Sequence, residues 1–428
     1  MRSAHEQAVL VPHTERVVGT PAVEDADTRN GLFVKTFGCQ MNEYDSEKIA
    51  LGLAGEYRLV ECVEQAQVII VNTCSVRDKA EQKLYSYVGS LARLKARTPG
   101  IVIGIVGCVA QQEGENVLKR CRHADFVAGT HNISLIPELV ANARNGVRAQ
   151  VAVSMRSGWE ELPDAGLAEP FAASRPGMPE VAALGSREGE VPVSAFIAIQ
   201  RGCSRKCAFC VVPLTRGPQV SRPLVEIERE VRAKAAQGAR EVVLLGQTVN
   251  SYGRDLHPAQ GIEEVIRAAA AVPGIKRIRF TSPHPAEMRR ELIQLFGEIE
   301  QLCPHVHLPL QSGSDRILNL MRRSYSAARY LEIVHEFRAV RPDIAFSSDI
   351  IVGYPTESDE DFEMTLAMMK EVQFNSCFSF KYSVRPGTHA EKVFAQSDWV
   401  PAALASERLT RLQVLQDTIS HKINQALI

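Results

Sequence analysis

Three cysteines lie within one short stretch, Arg201-Gly202-Cys203-Ser204-Arg205-Lys206-Cys207-Ala208-Phe209-Cys210, spaced Cys-x3-Cys-x2-Cys. A glycine on one side lets the backbone curl, so three thiolates this close can face one centre. Soft thiolates select zinc or iron–sulfur clusters. Closed structural zinc sites take four ligands, commonly in Cys-x2–4-Cys pairs. Three cysteines would instead leave one iron of a four-iron cluster open, and an open position can bind another molecule.

A second trio, Cys39, Cys74 and Cys108, is spread along the chain at intervals of 35 and 34 residues. Each cysteine follows a short β-rich apolar run: Gly31 to Phe37, Val68 to Asn72, and Ile101 to Gly107. Helical stretches intervene from Arg77 to Ala96, from about Gln111 and near Ile133 to Ala143, with a fourth strand at Phe126 to Ala128. Asn42 is placed to cap the first helix, with Asp45 and Glu47 in its first turn. Alternating helices and continuous apolar strands predict a parallel sheet covered on both faces. Ligands of such sheets bind outside the carboxyl ends of the strands. Neighbouring strands would therefore bring the three thiols together at one edge; the alternative is three buried small apolar side chains.

A second series of strands runs Val193–Gln200, Glu241–Leu245, Lys276–Thr281, Val306–Leu310, Ala345–Val352 and Cys377–Tyr382, with helices between them. Six such units predict a partial parallel barrel, whose active site would sit at the C-terminal mouth of its strands. The Cys203–Cys210 motif directly follows the first strand and falls at that mouth. The whole chain thus divides into a polar tail (1–30), an α/β domain with a parallel sheet (31–150), a Pro-rich linker (151–190), and the barrel with a final amphipathic helix (191–428).

The 428 residues carry a formal charge of −1, so no global field marks a nucleic-acid binder. Locally, Arg201, Arg205, Lys206, Arg216 and Arg222 form a basic run without an acidic residue from Phe196 to Arg222. No stretch has the length of a membrane span or the pattern of an export signal. Ten cysteines in such a chain point to a reducing cytoplasm, where thiols more often bind metal or do chemistry than form disulfides. Cys62, Cys121, Cys303 and Cys377 lack partners at ligand spacing, and His305 with His307 lack a third ligand. No complete Gly-x-Gly-x2-Gly follows a strand, which counts against a nucleotide-dependent oxidoreductase.

The second half resembles the radical S-adenosylmethionine superfamily through Cys203, Cys207 and Cys210, with Phe209 as the aromatic before the third cysteine. Gly246 and Gln247 occupy the place of the family's Gly-rich turn, though not in its usual acidic form; Gln311, Ser312 and Gly353 end later strands and are further candidates for the adenosyl site. With Thr36-Phe37-Gly38-Cys39-Gln40-Met41-Asn42, Asn72-Thr73-Cys74-Ser75-Val76-Arg77, Gly107-Cys108-Val109-Ala110-Gln111 and Thr281-Ser282-Pro283-His284-Pro285, the resemblance narrows to the methylthiotransferases. Leu244-Leu245-Gly246-Gln247-Thr248-Val249-Asn250 favours the branch acting on dimethylallyl (isopentenyl) adenosine at tRNA position 37, over those acting on threonylcarbamoyladenosine or a ribosomal-protein aspartate.

The resemblance implies two 4Fe-4S clusters and S-adenosylmethionine as radical source and methyl donor. Cys203, Cys207 and Cys210 would hold the radical-generating cluster, and Cys39, Cys74 and Cys108 an auxiliary cluster carrying the sulfur to be inserted at C2. It also implies tRNA as substrate, an electron donor such as flavodoxin and a sulfur source, for a monomeric cytoplasmic transferase. The family's C-terminal TRAM-type β-barrel is not expected after Asn424-Gln425-Ala426-Leu427-Ile428, leaving Arg201, Arg205, Arg216 and Arg222 at the mouth as the expected tRNA contacts. The contrasting possibility is a non-catalytic iron–sulfur electron carrier, which explains the cysteines but not the barrel.

Overall fold

The computed structural model describes residues 29–75, 78–160, 162–163 and 193–427. The predicted tail, most of the linker, and Val76 and Arg77 of one motif lie outside the described residues. The N-terminal domain runs β1 (Asn30–Phe37), α1 (Gln40–Leu53), β2 (Tyr57–Leu59), β3 (Val68–Thr73), α2 (Asp78–Arg97), β4 (Val102–Gly107), α3 (Cys108–Glu113), α4 (Glu115–Arg120), β5 (Phe126–Ala128), α5 (Ile136–Arg144) and β6 (Gln150–Ala152). Its six strands are all parallel, in the order β2-β1-β3-β4-β5-β6.

Every residue of β3 and β4 is buried, because both sheet faces are covered. Alternate residues serve opposite layers. Ile69, Val71, Ile103 and Ile105 pack with Leu84, Val88 and Leu91 of α2. Val68, Ile70, Val102 and Val106 pack with Ile49 and Leu53 of α1 and Ile136 and Val140 of α5. Two three-residue strands, β2 and β6, extend the sheet beyond the sequence expectation. Neither is a continuous apolar run, and β6 crosses the expected boundary at 150. The first helix is capped by Cys39, and Asn42 sits at its third position, accepting a 3.3 Å bond from the Cys39 amide. Asn42 is therefore not the cap, and Glu43 rather than Asp45 or Glu47 occupies the first turn.

The second domain begins with β7 (Ser194–Ala198) and β8 (Gln200–Arg201), followed by α6 (Val212–Arg216), β9 (Val220–Ser221), α7 (Leu224–Ala236), β10 (Glu241–Leu245), α8 (Ile262–Ala270), β11 (Arg277–Phe280) and α9 (Arg290–Glu298). It continues through β12 (His305–His307), α10 (Asp315–Leu320), α11 (Ala327–Val340), β13 (Ala345–Val352), α12 (Asp359–Val372), β14 (Ser376–Lys381), α13 (His389–Val393) and α14 (Ala402–Gln425). The two parallel three-stranded sheets, β11-β10-β7 and β12-β13-β14, are joined by a parallel bridge between Ile278 and Leu302. Six parallel strands thus form the expected partial barrel, its outer faces packed under the helices. No helix among the described residues is long and apolar enough to cross a membrane.

The two domains dock through α1. Its Met41 and Tyr44 pack on Ala198, Val243 and Leu245. Beside this contact, Lys48 reaches Glu230 of α7 at 2.7 Å, Arg222 binds the same carboxylate, and Lys234 pairs with Glu47. Glu230 is fully buried. Burial pushes its carboxyl up, but Lys48 and Arg222 outweigh that and hold it below the usual glutamate range. Glu230→Ala leaves Lys48 and Arg222 buried without that charge and should cost about 3–5 kcal/mol, read as a lower urea midpoint. The same change at half-exposed Glu228 should move stability by less than about 0.5 kcal/mol.

Candidate active site

The ends of β1, β3 and β4 are in register: Phe37 pairs with Thr73, and Thr73 with Gly107. Cys39, Cys74 and Cys108 each lie just past this row. Gly107, at φ 97, turns the chain directly into α3, so Cys108 opens that helix. A side chain at Gly107 would meet the Asn72 amide and the Thr73 backbone. Asn72 is itself buried, bonding the Asn42 carbonyl at 2.8 Å and the Ser46 hydroxyl at 2.9 Å. The three thiols do meet: Cys74 is in hydrogen-bond contact with both Cys39 and Cys108. This contact, aided by the Arg216 cation and opposed by burial, draws Cys39 down to about 6 and Cys108 to about 7. The same bonds push Cys74 up.

The second trio occupies a loop closed at its base by an antiparallel ribbon, with Gln200 opposite Ser221 and Arg201 opposite Val220. The Cys203 amide donates to the Gly217 carbonyl at 3.1 Å. Farther along, the Ala208 amide reaches the Met321 carbonyl at 2.9 Å, and the Ala208 carbonyl accepts from Ala390 at 2.8 Å. Cys203 contacts the Thr248 hydroxyl at 3.1 Å, and Cys207 accepts from the Arg323 guanidinium at 3.3 Å. Burial, with the charges of Cys207 and Cys203 adding to it, pushes Cys210 up to about 12. Phe209 packs with Ala208, Ile317, Met321, Tyr354 and Ala390, anchoring the loop.

Around the mouth, several buried polar atoms have no hydrogen-bond partner among the described residues: both amide atoms of Gln200, Oε1 of Gln247 and Nε2 of His284. They follow the ends of the first, second and third barrel strands. Gly246 lies against Gln200, leaving no room for a side chain there. His284 accepts from the Ala286 amide through Nδ1, so its Nε2 carries the hydrogen. Burial, and secondarily Arg323, lowers this imidazole to about 2 and keeps it neutral. Arg323 is buried, and its hydrogen-bond partners are the Tyr325 hydroxyl and Cys207 rather than a carboxylate.

The other predicted contacts are placed less directly. Gln311 is buried in a left-handed turn at φ 68 that bridges to Ile350. The Ser312 hydroxyl accepts from the Ser314 amide and faces Thr365 of α12. The Gly353 amide donates to Glu357, which in turn binds Arg408 of α14. Thr248, Arg323 and His284 join the site without being marked by residue spacing. Thr248 and His284 lie inside quoted motifs, whereas nothing in the spacing separates Arg323 from a surface arginine.

The basic run requires a correction. Arg201 is buried against Glu160 at 3.2 Å and the Gly158 carbonyl, Arg216 against Asp45 at 2.7 Å, and Arg222 against Glu230. They hold the protein together and do not present a cationic surface. Of the other two members of the run, Lys206 is exposed and Arg205 partly so, the latter paired with Glu287. Arg205 lines a cleft of about 410 Å³ with Gln219, Arg254 and Asp255. His305 and His307 share the Ser347 hydroxyl, each at 2.9 Å, as hydrogen-bonded strand residues. Of the remaining cysteines, Cys121 and Cys303 are buried, Cys377 half-buried and Cys62 exposed.

Among the described residues, no group of three or more His, Cys, Asp or Glu side chains is arranged to hold a metal ion. A four-iron cluster asks for a different arrangement, with each sulfur meeting a separate iron corner rather than one shared point. Each trio offers three thiols and leaves one corner for another ligand. At the barrel mouth, orphaned amides and a guanidinium lacking a carboxylate fit a polar cofactor with amine and carboxylate groups.

The profile of the radical SAM superfamily matches residues 197–369, and that of the uncharacterized protein family UPF0004 matches residues 31–129. Over the whole architecture, the chain superimposes on the radical S-adenosylmethionine methyltransferase TsrM from Kitasatospora setae. The TM-score is 0.58 at 12% identity, covering 92% of this chain and 89% of that one. Fold and site therefore define a radical S-adenosylmethionine protein. The tRNA-2-methylthio-N(6)-dimethylallyladenosine synthase of Cereibacter sphaeroides is 43% identical over 90% of this chain and 82% of its own length. Those of Geobacter sulfurreducens and Maricaulis maris are 42% and 43% identical, covering 93% and 94% of this chain and 84% and 85% of their own. The chain belongs to the family of these synthases.

Gly202 permits a direct test of the cysteine loop. It sits at φ 71, and a Cβ there would meet the carbonyl oxygens of Pro218, Gly217 and Arg216 at 2.0–2.7 Å. Gly202→Ala should cost more than the roughly 1–2 kcal/mol of left-handed strain alone, because all three obstacles are backbone. The expected readouts are a lower melting temperature and loss of iron from this site, with the N-terminal site retaining its own.

Proposed function

We propose that this chain is a tRNA methylthiotransferase that replaces the C2 hydrogen of dimethylallyl adenosine 37 with a methylthio group. The observation that carries this reading is the joining of two three-thiol sites, each at the carboxyl end of its own parallel sheet, across one docked interface. An electron carrier would need neither the barrel mouth nor its orphaned polar groups.

In this reading Cys203, Cys207 and Cys210 hold one 4Fe-4S cluster and Cys39, Cys74 and Cys108 another. Together with S-adenosylmethionine, these groups supply hydrogen abstraction from an unactivated C–H, the sulfur to be inserted and the methyl group. The residues supply position. Phe209, Ala208 and the ribbon fix the loop, and Thr248 and Arg323 give Cys203 and Cys207 polar contacts. Gly246 lets the Gln200 side chain pack directly against the backbone, and the free amide atoms of Gln200 and Gln247 can bind the cofactor's amine or carboxylate. Arg323 offers a cation and neutral His284 a hydrogen-bond donor within the same buried mouth. Water is held back by apolar packing of Met41 and Tyr44 against the first strands. The adenine must leave the anticodon-loop stack to enter. Arg205 and Arg254, drawn together by Glu287 at the cleft, are the cationic groups beside the loop that can meet its phosphates. We further infer that the protein works as a cytoplasmic monomer with a flavodoxin-like reductant and a separate sulfur source.

Nucleosides from cells lacking and regaining this chain test the reaction. Mass spectrometry should show the 2-methylthio group return with the gene, and its failure to return would sink the assignment. Purified without oxygen, the protein should carry about eight irons; about four would mean that one trio is structural. Cys74→Ala should still cleave S-adenosylmethionine to 5′-deoxyadenosine while sulfur insertion is lost. Equal loss of both would refute the division of labour between the two trios.

A further inference from the structure

Arg216 belongs to the segment that leaves Cys210, yet its guanidinium ends in the other domain. It is 5% exposed and reaches Asp45 of α1 at 2.7 Å. Asp45 lies on the helix that Cys39 caps. The N-terminal domain also grips the backbone of α6. The Thr130 hydroxyl donates to the Thr215 carbonyl at 2.5 Å, and His131 Nε2 lies 2.9 Å from the Arg216 carbonyl. This clamp packs α6 against α3, whose first residue is Cys108. The guanidinium is thereby fixed beside the two helices that start at Cys39 and Cys108.

We propose that Arg216 is the fixed counter-charge of the Cys39–Cys74–Cys108 site, a positioning residue that raises the reduction potential of the cluster held there. The assignment rests on the two-cluster reading above. A reduced cluster carries one more negative charge than an oxidised one, so a cation nearby stabilises the reduced state. Low exposure and water exclusion make the interaction stronger than it would be at the surface. Asp45 opposes the effect in part. Burial pushes its carboxyl up, the arginine pulls it down, and the net field at the thiols is the difference between a near cation and its own counter-ion. A residue that merely fastened the domains together would have no such sign attached to it. This geometry also removes Arg216 from the tRNA surface, since α6 aims it inward.

Redox titration of the full chain, reconstituted without oxygen and followed by electron paramagnetic resonance, tests the proposal; the signal lost in Cys74→Ala identifies the auxiliary cluster. Arg216→Met should lower the potential of that cluster and leave the Cys203–Cys207–Cys210 cluster unmoved, and Arg216→Lys should restore most of the shift. Asp45→Asn should raise the same potential. Opposite signs from the two partners support the assignment, because loss of packing would move both variants alike. An auxiliary potential unmoved in both, or moved the same way in both, overturns it. Should Arg216→Met fail to hold the second cluster, Asp45→Asn decides: a higher potential supports the proposal and an equal or lower one overturns it. About four irons in the unaltered protein would instead overturn the two-cluster reading, and this assignment with it.

Discussion

Arg216, Arg201 and Arg222 are buried guanidinia at the domain junction, and their ion pairs tie the two domains together. Arg216 takes Asp45 of α1, Arg201 takes Glu160, and Glu230 gathers Arg222 from its own domain and Lys48 from the other. Desolvating any one of these charges alone costs several kcal/mol, roughly what a whole domain has in net stability. The interface therefore has few tolerable arrangements. Apolar packing of Met41 and Tyr44 brings the surfaces together without specifying register; the charge pairs specify it. Since α6 is only five residues long and follows directly on the Cys203–Cys210 loop, fixing its end also fixes that loop relative to the N-terminal thiols.

The two sites reach three thiols by opposite routes. In the N-terminal domain each thiol comes from a different strand, and strand register does the alignment: Phe37, Thr73 and Gly107 form one row. Such a site is as rigid as the sheet's hydrogen bonds. At the barrel all three come from one loop, whose shape must be imposed from outside. The β8–β9 ribbon, the Ala208 backbone bonds and the Phe209 contacts impose it. The second construction gives up intrinsic rigidity but leaves the mouth of the barrel free for other ligands.

Much of this was legible in the chain because it depends on period and spacing. Strand-terminal cysteines at near-equal intervals announced a shared edge, and six apolar runs announced the barrel. The short strands β2 and β6 escaped because their residues are mostly polar or only partly buried, whereas the equally short β5 is an apolar, fully buried run. Asn42 was misread as a cap because its type suits that place; Cys39 takes it since the strand must end there to align the thiols. The basic run misled for a more instructive reason. The stretch from Phe196 to Arg222 holds no carboxylate, so its arginines read as a solvated surface. Their partners stand 171 residues away at Asp45, 41 away at Glu160 and beyond the run at Glu230. Charge runs report local composition, whereas burial is decided by topology.

That difference also bears on what each site does. The thiols of Cys39, Cys74 and Cys108 meet one another, while the Thr73 and Ser75 hydroxyls that flank Cys74 keep buried oxygens without partners among the described residues. At the barrel mouth Gln200, Gln247 and His284 likewise keep buried polar atoms without partners among the described residues. Each such atom costs about 1–3 kcal/mol unless a ligand meets it. A protein gains from retaining groups of that kind only where a polar molecule arrives, is used and leaves. Arg216 belongs to the chain segment of the barrel loop and ends against the helix that Cys39 caps, so its ion pair is one of the contacts that fix the two sites relative to each other.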